Sequence, residues 1–378
     1  MSESFAGLLG RFEVDGELVA MESLPGGYIN DSYRITMAAS DVRTEWMLQR
    51  INPSVFTDPD VLMDNIVNVT RHVAGRLRHA GVADWKRRTL VVVPTRAGRS
   101  HHRGVDGAAW RLFPFIASAT VRTEAASPEV AHEAARAFGE FLRLAADYDG
   151  PPLRETIHGF HDTAARFRSL LEVVRADPVG RTSEAGAEIQ LAFRHQAMAD
   201  VLPPLMQRGA VPIRVTHNDA KIANVLFETT TGQALAVVDL DTVMPGSALH
   251  DFGDLVRSSV SATAEDETDL SLVDVRIPWF RALVAGYLSE AEGVLTPDER
   301  RLLVFAGRLI TLEQAVRFLT DHLNGDRYYR TTRASQNLDR ARTQFRLFER
   351  LTERMDELEG IVSAYPDGTS RRRVTNRW

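Results

Sequence analysis

Two hydrophobic rhythms divide this chain. Up to about residue 115, apolar residues come in short runs or alternate with polar ones, bounded by glycine, proline and asparagine. Such runs predict strands. Glu22 to Ile35 reads as strand, turn at Gly26-Gly27, strand, and Glu45 to Ile51 as a strand ended by Asn52-Pro53. Leu90 to Pro94 and Ala108 to Phe113 read as two more strands, joined by a polar loop holding His101 and His102. Between them, Val61, Leu62, Ile66, Val69, Val73 and Leu77 recur at spacings of three and four, predicting a helix over 60–80. Five strands and one helix suggest a small antiparallel sheet with a packed helix.

Beyond Phe115 the helical rhythm takes over, over 127–144, 163–175, 184–205, 267–288, 297–323 and 338–359. Three short β-type runs interrupt it, at 213–216, 224–228 and 234–240. The expected fold class is α+β, with a small antiparallel-sheet N-lobe over 1–115 and a larger, mainly helical C-lobe over 116–378. The change of lobe falls at Phe113-Pro114-Phe115. A chain of 378 residues exceeds what one hydrophobic core organises, which also implies two lobes.

Composition narrows the classes. The 44% hydrophobic and 25% charged fractions are those of an ordinary globular protein. A net charge of −6, with scattered basic residues and a single Arg371-Arg372-Arg373 run, gives no footprint for nucleic acid. Zero cysteines exclude disulfides, zinc–thiolate sites and thiol nucleophiles. There is no signal-peptide pattern and no apolar stretch of membrane-spanning length, so the expectation is a soluble, cytoplasmic protein, as a monomer. Neither a histidine set with metal-ligand spacing nor a Gly-x-Ser-x-Gly elbow is present.

The chemistry concentrates in His217-Asn218-Asp219-Ala220-Lys221-Ile222-Ala223-Asn224 and in Val238-Asp239-Leu240-Asp241. Asp219, in a turn between β-type runs, can aim or deprotonate an acceptor hydroxyl; an Asx-turn residue is the plain alternative. Lys221 can offset charge on a transferred phosphoryl group, or be an ordinary loop lysine. Asn224 supplies an amide oxygen. Asp239, an acid ending an apolar run, calls for a cation, and Mg²⁺ is the natural one. Asp241 is read as a structural acceptor for loop amides, with a second metal ligand as the alternative. His217 is read as a brace for the loop. Together these groups match the needs of a kinase holding Mg²⁺–ATP beside a hydroxyl.

The front lobe is expected to hold the nucleotide. Gly26 and Gly27 permit a tight turn and close backbone approach to phosphate. Asn30 follows the turn, Arg50 ends a strand within reach of phosphate, and Phe113 and Phe115 sit at the change of lobe. Asp64 is a candidate acidic partner for Arg50.

The His217-Asn218-Asp219 to Asn224 segment, with Asp239 behind it, resembles the aminoglycoside phosphotransferase superfamily, which shares the protein-kinase-like fold. Gly27-Tyr28-Ile29-Asn30-Asp31-Ser32-Tyr33, Leu48-Gln49-Arg50-Ile51-Asn52 and Phe160-His161-Asp162-Thr163 are similar to one subgroup, the N-acetylhexosamine 1-kinases. So are Val238 through Gly246 and Arg317-Phe318-Leu319-Thr320-Asp321. The resemblance implies Asp219 as base, Asn224 and Asp239 as magnesium ligands, ATP as co-substrate, and Arg317 and Tyr328 as sugar contacts. Ala220 and Ala223 stand where the family usually has Thr and Asn, which leaves the sugar open. The expected activity is transfer of the ATP γ-phosphate to a sugar hydroxyl, foremost the anomeric hydroxyl of an N-acetylhexosamine. The alternatives are a phosphotransferase for a cationic acceptor, using acids in Ala262 to Glu267, and a non-catalytic nucleotide-binding regulator.

Overall fold

The computed structural model describes residues 4–24 and 29–366. Gly26 and Gly27, and the Arg371 to Arg373 run, lie outside them. The fold is α+β, an antiparallel-sheet N-lobe followed by a helical C-lobe. A short helix α1 (Phe5–Leu9) leads into strands β1 (Glu17–Ser23), β2 (Asp31–Ala39) and β3 (Val42–Arg50). Helix α2 (Pro59–His79) and the single turn α3 (Trp85–Arg88) come next. Then follow β4 (His102–Arg103) and β5 (Ala109–Pro114). The sheet order is β1-β2-β3-β5-β4, antiparallel throughout, with Ile35 facing Trp46 and Leu48 facing Leu112.

Helix α2 begins where the Asp58 carboxylate accepts from the Asp60 and Val61 amides, with Pro59 in its first turn. Its buried stripe, Leu62, Ile66, Val69, Val73 and Leu77, is the one its spacing predicts. The stripe packs against the main apolar core shared with the helical half. The expected strand over 90–94 does not form. Val93 donates to the Leu112 carbonyl at 2.9 Å and the Pro94 carbonyl accepts from Glu13 at 2.9 Å, but no continuous ladder forms. Pro94 has no amide to donate. His102 starts β4 instead.

The second half opens with β6 (Ala119–Val121) and α4 (Pro128–Ala145), then α5 (Thr163–Ala176), α6 (Gly186–Arg194) and α7 (Leu202–Gln207). The expected continuous helix over 184–205 is broken; Pro203 and Pro204 can sit only in a first helical turn. Strands β7 (Arg214–Thr216), β8 (Val225–Glu228), β9 (Ala234–Val237) and β10 (Met244–Gly246) follow. They pair as β6-β8-β9 and β10-β7. Strand β9 stops three residues short of its expected end at Leu240, because Asp239 turns left-handed, with φ of 58°.

Helix α8 (Ala248–Ser259), which the hydrophobic spacing did not reveal, packs on α11. Helix α9 (Ile277–Ala291) starts ten residues later than expected, since 262–276 is turns and a short 3₁₀ segment. Helices α10 (Pro297–Arg301), α11 (Leu303–Leu323), α12 (Gln336–Glu353) and α13 (Met355–Ala364) complete the chain. Two glycines let α4 and α9 touch backbone to backbone: a Cβ at Gly286 would strike the His132 carbonyl, and one at Gly139 the Tyr287 carbonyl. Among the described residues no helix is long and apolar enough to cross a membrane.

Candidate active site

The segment 217–224 forms a tight turn between β7 and β8. Its shape is fixed from outside. The Asp251 carboxylate on α8, almost fully buried, accepts from the Asn218 amide at 2.6 Å and the His217 amide at 3.0 Å. Thr242 donates to the His217 carbonyl at 2.7 Å, and the His217 ring meets the Val238 carbonyl at 2.9 Å. The Asn218 amide group donates to the Thr242 carbonyl at 3.0 Å. Asn218 is thereby held at φ 64°, a left-handed conformation asparagine tolerates. Gly246 lies so close that a Cβ there would collide with Thr216 Oγ1 and Asn218 Oδ1.

This scaffold presents Asp219, Lys221 and Asn224 together. Lys221 Nζ lies 2.7 Å from Asp219 Oδ2, and Asn224 Nδ2 donates to the same oxygen at 3.0 Å and to the Asp219 carbonyl at 2.8 Å. Burial opposes charge on both partners, but the ion pair prevails. The Asp219 carboxyl is held well below the usual carboxylate range, and the Lys221 ammonium above its ordinary value. Asn224 uses its nitrogen on Asp219, which leaves its amide oxygen as the atom available to a cation.

Asp239 is different. It is exposed and left-handed, and its carboxylate makes no hydrogen bond or ion pair among the described residues. The protein packed around it and then the nearby Asp241 and Asp219 carboxylates push its carboxyl up to about 6, against the pull of Lys221. Among the described residues no three His, Asp or Glu side chains converge in a metal-holding cluster. One unpaired carboxylate and one amide oxygen instead fit a Mg²⁺ that draws its other oxygens from phosphate and water.

Asp241 is a structural acceptor, but for the side chains of Arg111 and Asn30 and not for the loop amides expected. It is buried, takes Arg111 Nη1 at 2.5 Å and Asn30 Nδ2 at 2.6 Å, and its carbonyl accepts from Thr156 at 2.8 Å. Asn30 Oδ1 accepts from the Asn52 amide at 3.0 Å, so this residue, expected beside the nucleotide, spends its amide group on a brace. Arg111, only 2% exposed, went unnoticed in the sequence because a strand arginine has no visible partner until Asp241 folds against it. Arg50 lies at the rim of the sheet, 3.8 Å from Asp31 and 3.6 Å from Asp106. Asp64, its expected partner, pairs with Arg154 at 2.9 Å instead. Phe113 is buried in the core, and Phe115 is half-buried under the Arg34 guanidinium.

On the other side of Asp219, Arg317 lies over the rings of Phe160 and Tyr329, at 5.1 and 5.8 Å, and donates to Gln314 at 3.1 Å. Among the described residues no carboxylate pairs with it, yet its charge acts on Asp219 and Glu313. Arg166 lies close enough for the two guanidinium groups to repel. Tyr328 is 55% exposed, its ring against Tyr329 at 4.8 Å. Buried Asp321 accepts from the amides of Arg327, Tyr328 and Tyr329, which sets that loop. Of the acids of 262–267, Glu265 pairs with Arg257 and Asp266 with Arg333 and Gln336, while Glu267 accepts from the Asp269 amide at 2.9 Å. Ala220, where the family usually has Thr, is fully buried among apolar residues.

Solved structures share this architecture. An aminoglycoside phosphotransferase from Alicyclobacillus acidocaldarius matches over 94% of this chain and 95% of its own, with a TM-score of 0.56 at 14% identity. A spectinomycin phosphotransferase in complex with ADP and spectinomycin matches over 96% and 98%, with a TM-score of 0.51 at 13% identity. A choline kinase from Cryptosporidium parvum matches over 93% and 94%, with a TM-score of 0.52 at 13% identity. At such identities the likeness establishes the fold. The model of the APH phosphotransferase enzyme family matches residues 20–302, three-quarters of the chain, and the chain belongs to that family.

Proposed function

We propose that the protein is an ATP- and Mg²⁺-dependent kinase for a small sugar, with the anomeric hydroxyl of an N-acetylhexosamine as the first acceptor to try. The observation that carries the phosphoryl-transfer reading is the convergence of Asp219, Lys221 and Asn224 on one braced turn, with the unpaired Asp239 behind them. Asn224 Oδ1 and Asp239 would hold a divalent cation, which when bound neutralises charge on the phosphates. Asp219, kept ionised by Lys221, acts chiefly by aiming the acceptor hydroxyl. It takes the proton late, as suits a loose transition state that needs no strong base. Lys221 places a positive charge beside the reacting oxygens.

The sugar reading rests on the acceptor side. Arg317 on two aromatic faces, with Arg166 close by and the neighbouring acids already paired, disfavours a cationic acceptor such as an aminoglycoside or choline. Aromatic rings and guanidinium donors suit a neutral, hydroxyl-rich ring.

The test is ADP release measured over a panel of hexosamines, neutral sugars and amino-alcohols with Mg²⁺–ATP. Turnover with a hexosamine, reduced about 10²- to 10⁴-fold by Asp219→Asn with nucleotide binding retained, supports the proposal. Turnover only with cationic acceptors removes the sugar reading, and no turnover at all leaves a nucleotide-binding regulator.

A further inference from the structure

His161, in the loop before α5, sits with both ring nitrogens facing oxygen acceptors. Nε2 is 2.9 Å from the Asn218 carbonyl and Nδ1 is 2.9 Å from Glu313 Oε1. A neutral imidazole carries only one N–H, so both contacts are hydrogen bonds only in the imidazolium. The site is nearly sealed, with side chains 7% and 1% exposed. The second Glu313 oxygen takes Thr163 Oγ1 at 2.5 Å, so the carboxylate is fixed from two sides. Nothing in the proposed phosphoryl transfer uses this buried pair.

Its position gives it a task. The Asn218 carbonyl belongs to the peptide joining Asn218 to Asp219, and Asn218 is already held left-handed. Fixing that peptide plane fixes the direction in which the Asp219 side chain leaves the turn. Glu313 lies on α11 one helical turn before Arg317. We propose that the His161 imidazolium is a positioning residue that ties the Asn218–Asp219 peptide to helix α11 through Glu313, linking the aim of Asp219 to the acceptor-facing Arg317. This rests on the reading of the Asp219 turn as catalytic.

The surroundings agree. From α11, Glu313 faces His161, with Arg317 acting on Glu313; from α8, the His250 ring packs at 4.6 Å and Asp254 contributes its charge. Phe160 and Asp162 flank it in the chain. Burial disfavours the charged imidazole, yet Glu313 and the Asn218 carbonyl raise its pKa above the ordinary histidine value. Burial and the His161 charge hold His250 down to about 3, so this neighbouring ring is neutral and adds no second charge. The Glu313 carboxyl is kept at about 2 by His161 despite its burial. The two acceptors and the Glu313 charge thus favour the imidazolium, which is lost as pH rises through its raised value.

Two measurements on the full chain decide the matter. Imidazole ¹⁵N NMR of the wild-type protein should show His161 protonated at both nitrogens at pH 7; a neutral tautomer there overturns the proposal whatever the variants do. The pH dependence of kcat should then show an alkaline limb, moved to lower pH by Glu313→Gln and absent in His161→Gln. His161→Gln should lower kcat about 10- to 100-fold, as a small misplacement of a reacting group does, with the nucleotide Kd unchanged. A His161→Gln enzyme that keeps wild-type kcat and its alkaline limb overturns the proposal. If Asp219→Asn also keeps turnover, the catalytic reading of the turn has failed; if Asp219→Asn is inactive, only the role of His161 has.

Discussion

At the scale of single residues, the contact that most constrains the molecule is Arg111 with Asp241. Both are almost fully buried, and they join β5 of the sheet to the segment just after Asp239. A buried pair contributes modestly as a pair, but removing one member strands the other charge. Asp241→Ala is expected to lower unfolding stability by about 3–5 kcal/mol, read by denaturant titration. Arg111→Met combined with Asp241→Ala should recover much of that loss, since no charge then stays buried alone. A single variant as stable as wild type would mean that water reaches Arg111. The sequence presented these two as a strand arginine and a loop acid 130 positions apart. Preferring a structural role for Asp241 was possible from its neighbours; naming its partner was not.

At the scale of elements, the turn is held by parts with no chemistry of their own. Gly246 is one, and Gly246→Ala is expected to cut kcat more sharply than it lowers Tm, because the added methyl displaces Thr216 and Asn218 together. Equal loss in folding and activity would mean that the turn does not depend on that close approach. Elsewhere, Glu133 on α4 ties helix to strand: it accepts from the first amide of β9 at 3.0 Å and pairs with Arg136 at 3.0 Å. Bonds with His132 and Arg136 hold its carboxyl down to about 2 despite partial burial. The ionised form stabilises the fold above the unfolded-state value near 4.5, and that contribution is lost as pH falls through about 2. Glu133→Gln should therefore be less stable than wild type at pH 6 to 7, with the gap closing under strong acid in thermal melts. A gap independent of pH would point to packing instead of charge. The helical stripe of α2 and the β-type runs around residues 214–237 were legible because local spacing decides them. Helix α8 was not: it is short, buried almost all round and carries Asp251 and Asp254 inward, and what those acids meet is settled only by packing.

At the scale of the whole molecule, the proposed site is braced from both halves, Asn30 and Arg111 reaching Asp241, so ligand binding and folding are linked. Mg²⁺–ATP at a hundred times its Kd is expected to add about 2.7 kcal/mol of stability, seen as a higher Tm. Asp239→Asn should abolish the part of that gain that requires the divalent cation, while leaving any gain from nucleotide alone. A full cation-dependent shift in Asp239→Asn would place the metal elsewhere.

The sequence by itself determined most of the element types, the antiparallel front sheet, and the concentration of acid, amide and amine in residues 217–241. These follow from short-range rules: periodicity, proline and glycine placement, and spacing within one turn. Only the tertiary structure decided which charges find partners. It sent Asn30 to Asp241, turned Arg50 to Asp31 and Asp106, and brought Glu313 to His161 across 152 positions. The physical reason is that an ion pair or buried hydrogen bond is worth forming only where packing excludes water, and packing joins residues that no local pattern places side by side.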